Sequence, residues 1–319
     1  DKRNHHVFQP LLYQVATAML SPAQIAYPIR SMFRKLNNVR VLIGNVNDVN
    51  VEKRYITLKR SSQKFEYDYL IIAAGARHSY FGKPEWEKLA WGLKTTKDAL
   101  KIRERMLYSF EKAERTRYQS KRKKFSTFVI IGAGPTGVEM AGAIAEVTKK
   151  SIVSDFTEFQ SQTSQIILIE ASNRVLSQYP EELSIKAQED LEQMGVEIKL
   201  NSMVSNITQD GVYIGDNIIE TENIIWAAGN TASPFIKKIT KHTNKVGQAN
   251  VKLDFSIQED STVFCIGDCA YLEDAKGGIV PAVAQGAIQA GKFVAKQIMN
   301  DQKNKGRDAF IYKDKGMMA

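Results

Sequence analysis

The residues best suited to bind a charged ligand form a glycine-rich turn after the apolar run at positions 128–131. The turn consists of Gly132, Ala133, Gly134, Pro135, Thr136 and Gly137, and a helical pattern follows it. In a strand–turn–helix of this type the first glycine permits the tight turn, the second lets backbone N–H groups approach a pyrophosphate, and the third lets helix and strand pack closely. The helix N-terminus also favours the phosphate charge. The pattern predicts a dinucleotide site, with a plain strand-to-helix turn as the alternative.

A carboxylate after the next strand refines this prediction. The apolar segment at 165–169 ends in Glu170, 38 positions after Gly132, where a spacing of about 20 is usual. An acid at such a strand end accepts ribose hydroxyls and disfavours a 2′-phosphate, so we expect NAD rather than NADP. The polar stretch at 148–164 indicates an insertion that lengthens the spacing. An exposed strand-end carboxylate without a ligand is the alternative.

Two other apolar strands end in small residues. Ala74 and Gly75 follow the strand at 67–72, and Ala228 and Gly229 follow the strand that ends near 226. The absence of large side chains lets a flat ring or a phosphate approach the backbone. This weak internal repeat predicts two related nucleotide-binding domains.

A further candidate site lies near the end of the chain. Gly267 and Asp268 follow an apolar strand, and a helix is predicted to start with Pro281 in its first turn. The carboxylate can accept a hydrogen bond from a sugar-like hydroxyl, and the helix N-terminus can stabilise a nearby anion. From spacing alone, an ordinary turn is the more frequent outcome.

Composition limits the remaining function classes. The 319 residues suggest about two domains, and no apolar run approaches the ~18 residues of a membrane span. The net charge of +9 is modest, and the densest cluster of basic residues lies at 115–124. This cluster is a solvated face or a contact for anionic lipid, and no nucleic-acid motif accompanies it. The four histidines lack metal-ligand spacing, so no metal is expected. Cys265 and Cys269 are the only cysteines, which fits a reduced compartment better than a disulfide framework.

Together these segments resemble the flavoproteins with two dinucleotide-binding domains and, within them, the type II NADH dehydrogenases. The similar segments are residues 3–30, residues 67–82, IGDCA at 266–270 and AQGAIQAG at 284–291. The resemblance implies an α/β fold with two Rossmann-like domains, in which an NAD domain is inserted into an FAD domain. The expected domains are residues 1–110 and 251–319 for FAD and residues 111–250 for NAD.

The sequence differs from this family in two ways. The glycine motif that opens the FAD domain in this family is absent, and Asp1 aligns with the acid that ends the second strand of that domain. The sequence stops at Ala319, before the family's membrane-anchoring region. We therefore expect a fragment at both ends.

The resemblance implies that NADH passes a hydride to FAD, and that two electrons then pass to a membrane quinone without proton pumping. Ala74, Gly75, Gly267, Asp268 and Ala284 are expected to bind FAD together with Asp1. Residues 132, 134–137, Glu170, Ala228 and Gly229 are expected to bind NAD.

Three polar side chains are expected to act in the reaction. Glu139 would orient the nicotinamide, or else only complement the helix dipole. Gln285 and Gln289 would donate hydrogen bonds to quinone carbonyls, or else pack on a domain seam. Leu11, Leu12 and Tyr13 are candidate walls of the quinone path, although ordinary core is the better interpretation of each.

The expected location is the cytoplasmic face of the bacterial inner membrane, peripherally bound, with a possible homodimer. The N-terminal helix lacks the cysteine pair of the related disulfide reductases, so electrons must leave the flavin by another route. Two other functions stay open: a soluble NADH-dependent reductase for a protein or small acceptor, and a non-catalytic NAD-binding sensor. Measuring the flavin content of the protein distinguishes the sensor from the two reductases, because a sensor needs no flavin.

Overall fold

A computed structural model describes residues 1–316 and divides them into two compact units. The central unit comprises residues 5–28 and 78–229, and the flanking unit comprises residues 1–4, 29–77 and 230–316. These bounds differ from the predicted domains 1–110, 111–250 and 251–319. The segment 78–110 belongs to the central unit because it supplies an edge strand and a long helix to its sheet. Residues 230–250 belong to the flanking unit because Ala232, Ile236 and Ala249 are buried in its core.

The central unit is built on a five-stranded parallel sheet. Its strands are β8 (Ala90–Gly92), β9 (Thr127–Ile131), β10 (Gln165–Ile169), β11 (Val196–Lys199) and β15 (Asn223–Trp226). Their order in the sheet is β11-β10-β9-β15-β8. All five residues of β9 are buried, as expected for a middle strand covered on both faces. The carboxyl ends of β9, β10 and β15 therefore lie side by side at one edge of the sheet.

Six α-helices belong to the central unit: α1 (Leu12–Ala16), α2 (Pro22–Ile25), α4 (Thr96–Arg115), α5 (Gln119–Ser126), α6 (Pro135–Glu146) and α7 (Glu181–Gln193). The long helix α4 begins where the Thr95 hydroxyl accepts a hydrogen bond from the Asp98 N–H at 3.1 Å. Its buried side chains recur at helical spacing, as Ile102, Met106 and Phe110, and pack in one core with α1 and α6.

The central unit also contains two smaller antiparallel sheets. One pairs β1 (His5–Val7) with β2 (Ala26–Pro28), and the other joins β12 (Val204–Ile207), β13 (Gly211–Ile214) and β14 (Asn217–Glu220). Ile207 and Val212 of the second sheet pack with Trp226 in a separate core on one face of the parallel sheet.

The polar insertion before β10 is folded against α4. It contains a π-helical turn (Val147–Ser151) and a 3-10 turn (Ser161–Thr163), and it buries Phe159 against Phe110. The Glu114 carboxylate accepts hydrogen bonds from the N–H groups of residues 157–159 at 2.7–3.1 Å. This insertion accounts for the long spacing between Gly132 and Glu170.

The flanking unit combines short sheets with one long helix. Its elements are α3 (Ile29–Phe33), β3 (Val46–Asn50), β4 (Tyr55–Leu58), β5 (Lys64–Glu66), β6 (Leu70–Ile72), β16 (Asn230–Ala232), β17 (Ala249–Asn250), β18 (Val263–Cys265), β19 (Ala270–Tyr271) and α8 (Ala284–Gln302). The chain passes to the central unit along β7 (Ala76–His78). Strands β3, β4 and β5 form an antiparallel sheet, whereas β6 pairs with β18, and β17 with β19, in parallel. The core gathers around Phe255, Phe264 and Val294.

Glu114 provides a test of how the insertion is held. Burial alone would raise its pKa, but the N–H groups of residues 157–159 and the Thr157 hydroxyl lower it to about 2. Glu114→Ala should therefore lower the midpoint of thermal unfolding at pH 7, because these donors lose their acceptor. The stabilisation is present above the ordinary pKa of 4.5 and is lost as pH falls towards about 2, so wild type and variant should converge over that interval.

Circular dichroism melts from pH 7 to pH 2 measure this difference. Glu111→Ala, an exposed carboxylate on the same helix, is the matched control and should melt like the wild type. A Glu114→Ala midpoint equal to the wild-type value at pH 7 would show that the insertion does not depend on this carboxylate.

Candidate functional site

The glycine turn after β9 has the geometry of a phosphate cradle. Gly132 has φ +98°, and a Cβ there would lie 2.7 Å from the Ala228 nitrogen. A Cβ on Gly137 would lie 1.8 Å from the Gly132 carbonyl oxygen, so α6 packs on the turn only with glycine at this position. At Gly134, by contrast, no atom lies within 4 Å of an added Cβ. The turn is thus closed towards the protein and open where a ligand would approach.

Helix α6 begins directly at this opening. Gly134 is its N-cap, Pro135 and Thr136 are its first two residues, and no acidic side chain occupies its first turn. Its N-terminal N–H groups and the positive end of its dipole therefore stay available to an anion. This arrangement suits a pyrophosphate.

Glu170 lies at the end of β10, beside the turn. One carboxylate oxygen accepts the Ala133 N–H at 2.7 Å, and the other accepts the Ser172 N–H and hydroxyl at 2.9 and 2.8 Å. A carboxylate offers about four acceptor positions, so these bonds leave about one for a ribose hydroxyl. Glu170 both braces the glycine turn and presents negative charge next to it.

Glu139 lies one turn further along α6 and is half-buried. Burial raises its pKa from 4.5 to about 7. Its charge in turn raises the pKa of Tyr179, although burial contributes more to that shift, so the two side chains are neighbours. Around neutral pH this carboxyl group is therefore able to exchange a proton.

The two pairs of small residues that follow apolar strands, Ala74–Gly75 and Ala228–Gly229, differ in their surroundings. Ala74 is exposed, and at Gly75, φ +64°, no atom lies within 4 Å of an added Cβ. Gly229 has φ +71°, and an added Cβ would lie 2.6 Å from the Phe81 ring, while Ala228 lies beside Gly132. The backbone at Gly75 in the flanking unit is thus open, whereas the backbone at Gly229 in the central unit is covered by an aromatic ring.

The turn that contains Asp268 lies in the flanking unit. Gly267 has φ +70° and opens a 3-10 turn, Gly267–Cys269, directly after β18. The Asp268 carbonyl accepts a hydrogen bond from Gln248 Nε2 at 3.0 Å, and a Cβ on Gly267 would lie 3.4 Å from Ala287 of α8. This turn and α8 are therefore in contact.

The predicted start of the last helix is wrong. α8 begins at Ala284, three residues after Pro281, with Val283 as its N-cap. The Pro281 carbonyl instead faces the first turn of α8, where a Cβ on Gly286 would lie 2.3 Å from it. Gly286 lets the approaching chain cross the helix start, and Ala284 is left exposed.

The paired glutamines of α8 have different environments. Gln289 donates from Nε2 to the Lys313 carbonyl at 2.8 Å and accepts the Lys313 N–H at 3.1 Å, so its amide fastens the segment that follows α8. Gln285 is half-buried on the same helix, one turn nearer its N-terminus.

Residues missed by the sequence reasoning fix the same segment. Arg307 pairs with Asp254 at 2.7 Å and with Asp301, and its guanidinium lies over the Phe264 ring at 4.9 Å. Asp274 accepts the Tyr312 N–H at 2.9 Å. No periodicity could have indicated these partners, because Asp254 and Asp274 precede them by 53 and 38 positions.

The remaining candidates have mainly structural contacts. The Asp1 carboxylate accepts the Arg3 N–H at 2.9 Å on the surface. Leu12 is buried in the core of the central unit, and Leu11 and Tyr13 pack partly against that core.

The two cysteines are buried free thiols with 3.4 Å between their sulfur atoms, longer than the ~2 Å of a disulfide. The Cys269 sulfur also contacts the Ile72 and Ile266 carbonyls. These contacts join the two strand ends that precede Ala74 and Gly267.

Comparison with known proteins identifies the family. The model of the pyridine nucleotide-disulphide oxidoreductases matches residues 1–291. A type II NADH:quinone oxidoreductase of Mycobacterium tuberculosis is 39% identical over the whole chain, which covers 71% of that relative. The chain belongs to the type II NADH:quinone oxidoreductases.

Solved structures support the fold. NDH2 of Plasmodium falciparum, in complex with RYL-552, superposes with a TM-score of 0.89 at 22% identity, over 99% of this chain and 81% of that one. The same protein in complex with NADH gives a TM-score of 0.78 at 26% identity, over 85% and 59% of the two chains. The predicted α/β fold with two Rossmann-like domains is confirmed. Within residues 1–316, no helix is long and apolar enough to cross a bilayer.

Glu139 should make stability depend on pH near neutrality. A raised pKa means that the folded protein retains a proton that the unfolded chain releases, so the contribution is complete below 4.5 and is lost as pH rises through about 7. Glu139→Gln cannot ionise and should become more stable relative to wild type between pH 5 and pH 8. Thermal melts across this range measure the gain, and the exposed Glu146→Gln on the same helix should show none. Parallel curves for wild type and Glu139→Gln would contradict a raised pKa.

Glu170 should set the preference between NADH and NADPH. Like charges ~4 Å apart at an effective dielectric constant near 20 repel by up to ~4 kcal/mol before salt screening. Even ~1.5 kcal/mol is about tenfold in kcat/KM. Glu170→Gln keeps an acceptor for Ala133 but removes the charge, so kcat/KM for NADPH should rise about tenfold. Equal efficiency of the wild type with both cofactors would refute the assignment.

Proposed function

We propose that this chain is an FAD-dependent NADH:quinone oxidoreductase in which the central unit binds NADH and the flanking unit binds FAD. The observation that supports this most strongly is the open glycine turn at 132–137. It occurs in a chain 39% identical to a protein named as an NADH:quinone oxidoreductase. The proposal assigns roles to residues of each unit separately.

In the central unit, the N–H groups at the start of α6 bind the pyrophosphate of NADH. Glu170 accepts a hydroxyl of the adenosine ribose with its remaining acceptor position. Ala228, beside Gly132 at the end of β15, leaves room for the other half of the dinucleotide. The family match and the similar protein solved in complex with NADH support this assignment.

In the flanking unit, the residues present fit a second dinucleotide. The exposed Ala74, the unobstructed Gly75 and the Gly267 turn allow close approach to the backbone. The N-terminus of α8 has no acidic side chain in its first turn, which suits a phosphate. Asp268 would accept a ribitol or sugar hydroxyl, and Ala284 would face the ligand at the helix start. Asp1 stays a prediction for the ribose of FAD.

FAD held by the flanking unit would supply the two-electron chemistry between NADH and the quinone. The chain's own residues would bind and orient NADH, FAD and the quinone and adjust the charge around them. Glu139, with its pKa near 7, can stay neutral beside the nicotinamide half and can move a proton without a stable buried charge.

The two glutamines have different proposed roles in quinone binding. Gln285 would donate from its amide to a quinone carbonyl as that oxygen gains negative charge. Gln289 would act through the chain, since its amide holds Lys313 and with it the segment after α8. This revises the expectation that both glutamines contact the quinone.

A lipid-soluble quinone places the reaction at a membrane surface. We propose peripheral attachment, on the cytoplasmic face of a bacterial inner membrane, and homodimer formation as a further expectation. A vesicle flotation assay with the full-length protein tests attachment.

Measuring the two half-reactions separately tests the function. In anaerobic stopped flow, NADH should bleach the flavin of the holoenzyme, and a quinone should then restore its absorbance. Gln285→Leu should leave bleaching nearly unchanged and slow reoxidation by about five- to thirtyfold. Loss of one donor in a well-ordered oxyanion site costs ~2.7–4 kcal/mol, and we expect ~1–2 kcal/mol in an open pocket.

Gln302→Leu, at the far end of the same helix, is the matched control and should behave like the wild type. A Gln285→Leu enzyme that bleaches slowly but is reoxidised normally would place this residue on the nicotinamide side. A flavin that NADH does not bleach in the wild type would refute the proposed function.

A further inference from the structure

The turn at residues 80–83 holds a phenylalanine in an unfavourable backbone conformation. The Lys83 N–H donates to the Tyr80 carbonyl at 2.9 Å, and the two central residues, Phe81 and Gly82, have φ +48° and +83°. Positive φ at both central positions defines a type I′ turn, in which Gly, Asn and Asp are favoured. A bulky side chain at such a position is unfavourable, and the surrounding contacts must hold it there.

The Phe81 ring does not compensate by entering the core. The residue is 67% exposed, yet its ring rests on Gly229, where an added Cβ would lie 2.6 Å from Cζ. Its centroid lies 6.1 Å from that of Trp226, which is buried beneath it. The Cζ end of the ring therefore lies against the backbone at Gly229, and most of the side chain is presented to solvent.

The turn is fixed to the sheet by hydrogen bonds that hold the ring in place. The Ser79 N–H donates to the Gly229 carbonyl at 3.2 Å, and Trp226 Nε1 donates to the Ser79 carbonyl at 2.9 Å. The Tyr80 hydroxyl donates to the Ala90 carbonyl at 2.9 Å. The ring is thus anchored at the carboxyl end of β15.

This place corresponds to one half of the dinucleotide site. In the sheet order, β9 with its glycine turn lies between β10 and β15. Glu170, after β10, lies on the side expected for adenosine. With the pyrophosphate at the turn after β9, the nicotinamide riboside must extend towards the end of β15, where Phe81 lies.

We propose that Phe81 forms the aromatic surface on which the nicotinamide ring of NADH packs. The inference rests on the proposed function, since it requires NADH in the central unit. An aromatic face packs well on a flat ring and attracts the positive charge of the oxidised nicotinamide. Gly229 is small because the ring needs the space above it.

Titration calorimetry of the full chain with NAD⁺ and with ADP-ribose, which lacks nicotinamide, tests the proposal. Phe81→Gly should weaken NAD⁺ binding by about two- to tenfold, the range expected for one aromatic stacking contact. It should leave ADP-ribose binding unchanged. The turn itself should tolerate the change, because glycine adopts positive φ without steric cost. Phe81→Tyr should restore NAD⁺ affinity.

Arg60→Gly is the matched control, because Arg60 is an exposed residue with φ +64° in the flanking unit, and it should change neither affinity. Unchanged NAD⁺ affinity in Phe81→Gly, or an equal loss for both ligands, would overturn the role of Phe81. A wild-type chain that binds neither ligand would refute the proposed function itself, and this inference with it.

Discussion

The close approach of α6 to the turn after β9 is the contact on which the central unit depends. A Cβ on Gly137 would overlap the Gly132 carbonyl oxygen at 1.8 Å, so any other residue would force the helix away from the strand. With glycine, the first turn of α6 lies directly at the carboxyl end of a buried strand. The same contact therefore fixes the core between helix and sheet and aims unpaired N–H groups at the open side of the turn.

The side chains around this contact pack against the glycine turn, and we propose that they also contribute to ligand binding. Glu170 braces the turn through the Ala133 N–H, yet it keeps its charge at the sheet edge. Gly229 makes room for Phe81, and Ala228 lies directly against Gly132. Because these positions lie at the ends of three adjacent strands, the order of the sheet determines which part of a dinucleotide each one can meet.

In the flanking unit, a buried thiol connects the ends of two adjacent strands. The Cys269 sulfur contacts the carbonyl of Ile72, the last residue of β6, and that of Ile266, directly after β18. These two strands lead to Gly75 and Gly267. Buried thiols are small and weakly polar, so they fill the space between the two turns without a strongly hydrated group. The segment after α8 is held independently by Arg307, Gln289 and Asp274.

Local sequence patterns predicted the parts of the site that lie close together along the chain. The strand, the glycine turn and the helix at 128–146 are present as predicted, because turn geometry and glycine spacing are properties of neighbouring residues. The extent of the two compact units depends on distant contacts, since β8 joins β15 through a pairing across more than 130 positions. The start of α8 depends on the place where the preceding segment, at Pro281, passes the first turn of the helix. The proposed role of Phe81 follows only from its contact with Gly229, which is distant in sequence. Such long-range contacts leave no periodic signal.

We propose that the glycine turn at 132–137 binds the dinucleotide. The most direct test is the affinity for NAD⁺ of Gly137→Ala, compared by calorimetry with Gly142→Ala on the same helix. An added Cβ at Gly142 meets Leu191 at 3.6 Å, an ordinary contact, so this variant should bind NAD⁺ like the wild type. The Gly137→Ala protein should lose NAD⁺ binding, because the start of α6 is displaced from the strand end. A folded Gly137→Ala protein with wild-type affinity for NAD⁺ would show that the dinucleotide does not bind at this turn.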